Sequence, residues 1–238
     1  MAAESARHLA WEGCFNVRDL GGHPTRDGGS TRFGVVVRSD SPRRLTESGW
    51  AALSEYGVRT IVDLRDPVEL QDDPPRRLEL EHVHVPVLDF SDTAFWDGWR
   101  GRYDALGFYR EVLERWPRRF AEAVSAVAGA DDGCVLVHCL VGRDRTGLVS
   151  ALVLSVAGVP PEAIAADYAL SAERLAPLYE QWIAEAADPR QRARLERENV
   201  AEASAMLALL DGLDAEAYLR EAGVTGAELE SLRERLRG

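Results

Sequence analysis

The sequence predicts an α/β fold: a central, mostly parallel sheet flanked by helices on both faces, with a helix-rich C-terminal part. Three observations predict it. Short runs rich in β-branched residues alternate with longer segments of helical character. The run Cys134-Val135-Leu136-Val137-His138 reads as a buried strand, punctuated at its start by Asp131-Asp132-Gly133, and it leads directly into a helix-forming segment. Beyond that junction the chain is almost entirely helical in pattern.

The elements follow in order. Residues 1–30 are irregular and glycine-rich. Phe33 to Val37 reads as a strand, and Thr46 to Tyr56 as a helix with Thr46 as its cap and Gly57 as its stop. Residues 59–64 give the next strand, Asp66-Pro67 opens a short helix, and residues 82–87 give another strand. Residues 88–103, with Trp96, Trp99 and Tyr103, form a long connection that reads either as a lid or as a packed insertion. Asp104 to Ala128 is helical, kinked or broken at Pro117. Thr146 to Ala157 is a buried helix closed by Gly158 and then Pro160-Pro161. Leu195, Met206, Leu207, Leu209 and Leu210 recur at helical spacing and read as core. With no internal repeat or low-complexity segment, residues 1–238 form one expected domain. Within it, 88–130 is a connection and helical insertion, and 172–238 is a helical C-terminal part.

Composition narrows the function. A hydrophobic content of 46% and a charged content of 29% are those of an ordinary globular protein. The formal net charge of −12 disfavours nucleic acid as a partner, because a phosphate backbone needs a basic surface. The runs Pro74-Pro75-Arg76-Arg77 and Arg118-Arg119 are short and read as solvated faces. No apolar stretch is long enough for a transmembrane segment, and Met1 to Gly13 lacks a signal pattern. Cys14, Cys134 and Cys139 form no disulfide framework and match no zinc spacing. A reducing, cytoplasmic location is expected. Cys14 and Cys134 are expected as packed thiols, in preference to partners that shield Cys139 as a reversible disulfide.

The segment from His138 to Gly147 carries the chemistry. Residues 139–145 make a tight loop between a strand and a helix, so the amides of Leu140, Val141, Gly142, Arg143, Asp144 and Arg145 can converge on an anion. The same field favours the thiolate of Cys139, making it a nucleophile. Arg145, six positions on, would grip two phosphoryl oxygens through its planar fork. Thr146 would hydrogen-bond the thiolate or simply cap the helix, and Gly142 lets the backbone approach phosphate closely. His138 would orient the loop or sit as a satisfied core histidine. Arginine and amides do the work of a cation here, so no metal and no cofactor are expected. A rhodanese-type sulfurtransferase also uses a loop cysteine below a strand but would lack the Arg145-Thr146 pair.

Cys-x5-Arg-Thr after a strand resembles the signature of the protein tyrosine phosphatase superfamily. The fuller His-Cys-x-x-Gly-Arg-Asp-Arg-Thr-Gly resembles its atypical bacterial members. Phe15-Asn16-Val17-Arg18-Asp19-Leu20-Gly21-Gly22, Val37-Arg38-Ser39-Asp40 and Ile61-Val62-Asp63-Leu64-Arg65 resemble further elements of that family, in the family's order. Ala217 to Val224 is similar to its closing helices. The resemblance implies a tyrosine-phosphatase-like fold and hydrolysis of a phosphate monoester through a phosphocysteine. The implied substrate is phosphotyrosine on a protein, with dual specificity as an extension, and inorganic phosphate is the product. A phosphoinositide or small-molecule phosphatase is the alternative, and a phospho-binding pseudophosphatase is the alternative outside enzymes. Arg143 stands where the family usually has lysine, which keeps the charge and changes the geometry. The resemblance also allows secretion by a non-classical route.

A carboxylic acid must protonate the leaving oxygen. Conventional family members carry it on a separate mobile loop, which points to Asp89 or Asp92. The atypical members place an aspartate in the phosphate loop, which points to Asp144, and Asp144 leads. Asp63 and Arg65 are expected to orient the loop or bind substrate, with a purely structural ion pair as the alternative. Tyr168 resembles part of a family Asp-Tyr-x-x-Ser element and is expected to pack.

Overall fold

The computed structural model describes residues 6–72, 80–198 and 200–237. Strands β1 (Arg18–Asp19), β2 (Val36–Ser39), β3 (Val58–Asp63), β4 (Glu81–His84) and β5 (Cys134–His138) form one sheet in the order β1-β2-β5-β3-β4. Among these five strands the β1–β2 pairing is antiparallel, while β2–β5, β3–β5 and β3–β4 run parallel. The helices are α1 (Glu47–Glu55), α2 (Pro67–Asp72), α3 (Thr93–Trp99), α4 (Ala105–Arg115), α5 (Pro117–Gly129), α6 (Asp144–Val156), α7 (Pro161–Glu185), α8 (Pro189–Glu198), α9 (Ala203–Asp211), α10 (Ala215–Ala222) and α11 (Gly226–Arg237).

The pleat sorts side chains to two faces. Val37, Ile61, Cys134 and Leu136 pack with Trp50 and Leu53 of α1 and with Trp11 and Val17. Val36, Val62, Val135 and Val137 pack on the opposite face against α5, α6 and the C-terminal helices. The strand β5 is buried at all five positions, which explains its uninterrupted apolar pattern. A third cluster joins Leu175, Leu178 and Tyr179 of α7 to Leu195 of α8, with Phe15 and Val141 packed against it. Leu195, Met206, Leu209 and Leu210 are buried, as their spacing predicts.

Local rules account for most boundaries. Thr46 caps α1 by accepting from Gly49 N, and Gly57 ends the turn at φ +90. The expected helix over 104–128 is two helices, because Pro117 offers no N–H to continue α4 and instead opens α5. The expected strand over 33–37 begins at Val36, since Gly34 turns at φ +75, and the strand over 82–87 ends at His84. Residues 1–30, expected to be irregular, contribute the short strand β1. Within the 88–103 connection, α3 is capped by Asp92 and buries Phe95 and Trp99. Residue 172, where the helical C-terminal part was expected to start, lies inside α7. The Pro74-Pro75-Arg76-Arg77 run lies outside the described residues.

Candidate active site

Register brings the sequence motifs together. Ser39 and Asp63 each pair with His138, so β2, β5 and β3 end level at their carboxyl edge. Asp40, Cys139 and Leu64 therefore emerge side by side, where open parallel sheets present their sites. Two backbone bonds lock the exits: Leu64 N donates to the His138 carbonyl at 2.9 Å, and Ser41 N donates to the Leu140 carbonyl at 3.0 Å.

The loop after Cys139 is held by its carbonyls. The Nδ2 of Asn16 donates to the carbonyls of Val141 and Gly142, each at 3.0 Å. The guanidinium of Arg38 donates to the Gly142 carbonyl at 2.8 Å and to that of Arg143 at 3.3 Å. A peptide unit is planar and trans, so each tethered carbonyl turns the following N–H to the opposite side. The amides of Val141, Gly142, Arg143 and Asp144 are thereby directed away from the scaffold, at the N-terminus of α6. That is the arrangement an anion site requires. Gly142 is obligatory here: its φ is +67, and a Cβ would lie 2.2 Å from the Ser39 carbonyl oxygen.

Buried charges brace these tethers. Asp167 of α7 accepts from Arg18 Nε and from Arg38, each at 3.0 Å, and all three side chains are almost inaccessible. Arg18 also donates to Asn16 Oδ1 at 2.6 Å and to Ser171 Oγ at 3.1 Å. Burial alone would raise the carboxyl of Asp167, but Arg18, His23 and Arg38 outweigh it and hold it well below the usual range. Asp40 accepts from Asn16 N at 2.9 Å and Phe15 N at 3.2 Å, fixing the segment that carries Asn16. Its burial pushes its carboxyl up to about 6 against those bonds.

The expected site residues fall around this loop. Cys139 lies at its base and is 2% exposed. Arg145, at the start of α6, carries a buried guanidinium whose charge interacts with Cys139. Thr146 Oγ1 is buried without a hydrogen-bond partner among the described residues. His138 places Nδ1 3.1 Å from the Cys139 carbonyl and Nε2 3.6 Å from Asp63. Burial and Arg65 push its pKa down, outweighing Asp63 and the Cys139 carbonyl, which raise it. Asp63 accepts from Arg65 through both oxygens. Burial would raise its carboxyl, but His138, His82 and Arg65 keep it ionised. Asp63, His82 and His138 bring three metal-ligand atoms within 4.8 Å of one another, while the Arg65 fork already neutralises that carboxylate.

Arg143 turns its side chain away from the loop. Its Nε contacts Asp144 at 3.1 Å, and its NH1 donates to Tyr179 and to the Glu198 carbonyl. Asp144 accepts from the Tyr109 hydroxyl at 2.6 Å and the Tyr168 hydroxyl at 3.2 Å. Burial opposes its ionisation, yet Arg143 and the two tyrosines prevail and lower its pKa. Tyr168, expected only to pack, thus also bonds a loop side chain. Tyr109 was missed, because nothing in its local sequence distinguishes it from a core aromatic. Asp89 pairs with Arg119 at 2.9 Å and with Ser91. The neighbouring Phe90 ring lies 5.6 Å from the Arg145 guanidinium. Asp92 caps α3 and pairs with Arg115. Arg119, expected as part of a solvated run, is tied to the Pro86 and Leu88 carbonyls as well as to Asp89.

Two cavities flank the loop. One of about 550 Å³ is lined by Leu140, Val141, Arg145, Tyr179, Trp182 and Leu195, among others. The other, of about 660 Å³, includes Trp99, Arg102, Tyr109, Asp144, Tyr168 and Arg197 in its wall. Cys14, Cys134 and Cys139 are all free thiols, and burial pushes those of Cys14 and Cys134 up. No described helix is long and apolar enough to cross a membrane.

Comparison with known proteins agrees with this geometry. A tyrosine-protein phosphatase of Nostoc commune is 30% identical over 217 residues, covering 85% of this chain and 74% of its own. The triple specificity protein phosphatase PtpB of Mycobacterium tuberculosis is 29% identical over 189 residues, 66% of each chain. The sequence model of the tyrosine phosphatase family matches residues 9–238, nearly the whole length over which the strand ends and the loop converge. A loop built for an anion, set at the carboxyl edge of this sheet, is therefore that of an enzyme acting on a phosphorylated substrate, and the chain belongs to the tyrosine phosphatase family.

Proposed function

We propose that the chain hydrolyses phosphate monoesters through a phosphocysteine, with phosphotyrosine on a protein as the preferred substrate. The observation that carries this is the tethering of the 140–143 carbonyls behind Cys139, which leaves loop amides and Arg145 to receive a phosphoryl group. The Cys139 thiolate attacks phosphorus, the S–P bond forms, and the P–O bond to the leaving group breaks. The loop amides and Arg145 stabilise the equatorial oxygens. Asp144 gives its proton to the leaving oxygen. It then takes one from the water that attacks the phosphocysteine, which restores the thiolate and releases inorganic phosphate. Asp144 is favoured over Asp89 and Asp92 because it adjoins Arg145 in the phosphate loop and is oriented by two hydroxyls; each of the three pairs with an arginine, Arg143, Arg119 and Arg115 respectively. Thr146 Oγ1, buried and unpartnered among the described residues, supplies a donor for the thiolate as it leaves. His138, Asp63 and Arg65 position the loop.

The apolar wall of Tyr179, Trp182 and Leu195 beside Arg145 suits an aryl ester. A phosphoinositide is the second reading, favoured by Arg102 and Arg197, which stack on Trp99 and Tyr103 in the wall of the larger cavity. Free thiols fit a reducing, cytoplasmic setting. The test is hydrolysis of p-nitrophenyl phosphate in the presence of EDTA by the native chain and by Cys139→Ser. Loss of turnover in the variant is expected. Turnover that survives would displace Cys139 as nucleophile, and none in either protein would favour a phospho-binding module. A panel of phosphotyrosyl peptides and phosphoinositides separates the two substrate readings.

A further inference from the structure

We propose that Asp63, His82 and His138 form a reversible binding site for a divalent cation of the zinc type, set behind the phosphate loop, through which the ion slows turnover. The binding goes beyond the phosphatase reading; only its effect on turnover rests on that reading.

The register of the sheet assembles the site. Asp63 pairs with His138 on β5, and His82 pairs with Ile61, two residues before Asp63 and on the same face. Three neighbouring strands thus each contribute one ligating side chain. The Nε2 of His138 lies 3.6 Å from Asp63 Oδ2, and the Nε2 of His82 lies 3.7 Å from it. One ligand atom of each residue falls within 4.8 Å of the other two. Zinc bound at about 2.0–2.1 Å holds tetrahedral ligands roughly 3.3–3.4 Å apart. An octahedral ion at the same bond length would need about 2.9 Å. The spacing is nearer the tetrahedron, and the ring of the exposed His82 can turn to close the remaining edge.

The surrounding bonds suit a cation. His138 Nδ1 lies 3.1 Å from the Cys139 carbonyl, which only accepts, so Nδ1 carries the hydrogen and Nε2 presents a lone pair. That lone pair faces a carboxylate oxygen, a second acceptor, and a cation between them satisfies both. An Nδ1–H held by a carbonyl is also the usual outer-shell support of a metal-binding histidine. His84 is not part of the set, because its Nε2 lies 2.8 Å from the Arg65 carbonyl. Arg65 places NH2 on Asp63 Oδ2 at 2.6 Å and shares Nε between Oδ1 at 2.9 Å and Oδ2 at 3.1 Å. Moving Nε wholly onto Oδ1 leaves Oδ2 a lone pair for the ion. The Arg65 charge repels an incoming cation, so binding is weaker than at a closed structural zinc site. Asp63 and His138 are buried, and entry is along His82.

Filling the site draws His138, with its contact to the Cys139 carbonyl, towards Asp63 and turns Arg65. Both position the loop, so kcat falls; the ion sits behind the loop, so substrate does not displace it.

The test uses the full, reduced chain and zinc chloride without chelator. Calorimetry and melting read binding, and the visible spectrum of added cobalt(II) reads the ligands, for the native chain, His82→Ala and Cys139→Ser. Zinc should bind the native chain and Cys139→Ser alike and raise both melting points. Cobalt should give tetrahedral bands without thiolate charge transfer. His82→Ala should weaken binding on the order of 100-fold, at least the cost of losing an outer-shell partner. Its turnover of p-nitrophenyl phosphate without zinc should stay native. Saturating zinc should lower native kcat roughly tenfold with little change in KM, and His82→Ala should resist it. Binding lost in Cys139→Ser and kept in His82→Ala would make the thiolate the ligand and overturn the proposal. A native chain that turns over the ester without binding zinc would overturn it too. Binding that depends on His82 but leaves native kcat unchanged would overturn the effect on turnover. The binding measurements need no turnover, so a native chain inert towards the ester would sink the phosphocysteine reading and not the metal site.

Discussion

Asp144 and Asp40 show how two aspartates at one loop acquire opposite tendencies. Asp144 is held ionised by Arg143, Tyr109 and Tyr168, so its acid form becomes scarcer as pH rises. Hydrolysis of an ester with a poor leaving group should therefore be favoured on the acidic side. The variant Asp144→Asn should slow an alkyl phosphate far more than p-nitrophenyl phosphate, whose phenolate leaves without help. Equal losses on both would remove Asp144 from the acid role. Asp40 is pushed the other way, to about 6, by burial that its bonds to Asn16 and Phe15 do not offset. Its folded pKa exceeds the unfolded value of about 3.9, so the native state binds the extra proton and stability falls as pH rises from about 4 to 6. The full difference is about 3 kcal/mol. His138 opposes this slope, since its lowered pKa favours the folded state as pH rises toward its unfolded value of about 6.5. The comparison between native and Asp40→Asn chains isolates Asp40. Urea melts at pH 4 and pH 7 should show the variant gaining stability relative to native as pH increases. A constant difference would place the Asp40 pKa at its ordinary value. Cys139, Arg145, Thr146 and Asp144 could be put forward from the sequence because the loop that unites them is contiguous. Tyr109 could not, because it reaches the loop from a distant segment that only the fold brings near, and Asp167 stood out only as part of the Asp-Tyr-x-x-Ser resemblance, with no sign of its arginine partners.

At the level of elements, α6 is both the anion-binding helix and a packing surface, and Gly147 lies where these roles meet. A Cβ there would stand 2.8 Å from the Tyr168 ring, which is buried and bonds Asp144. Alanine would gain up to about 1 kcal/mol in helix propensity. It would lose about 1–3 kcal/mol to overpacking, so a net drop in melting temperature is expected for Gly147→Ala. Displacement of Tyr168 should also remove one of the two hydroxyls on Asp144. The Asp144 carboxyl, with less to hold it ionised, should then keep its proton to higher pH, so the decline of alkyl phosphate turnover with rising pH should move upward relative to the native chain. A lower melting point with an unchanged pH profile would show that Tyr168 serves packing alone. Strand β5 and helix α1 were legible from unbroken apolar pattern and from a cap with its glycine stop. The short β1 was not, because two residues carry no periodicity and the pairing of Arg18 with Arg38 is dictated by the buried Asp167 between α7 and the sheet. The break at Trp116 was legible in kind, since Pro117 marks it, though whether the helix would bend or restart depends on the neighbours that bury Phe120 and Val124.

Across the molecule, the charge balance and the site pull in opposite directions. Arginines line the flanking cavities and the loop, while the chain as a whole carries −12. The arginine field acts within a few ångströms, where solvent is largely excluded, whereas the net negative charge acts over the screening length, about 30 Å at 0.01 M salt and about 8 Å at 0.15 M. An approaching phosphopeptide rich in Glu or Asp therefore meets repulsion before it meets Arg145. Raising ionic strength between those limits should increase kcat/KM for an acidic phosphotyrosyl peptide, by screening the long-range term more than the buried contacts. The same change should decrease kcat/KM for a peptide flanked by Lys or Arg, which the surface attracts. The measurement is kcat/KM for both peptides across a salt series at constant pH. A fall for both would mean that the local arginines govern encounter as well as binding, and that the acidic surface plays no part in selecting substrates.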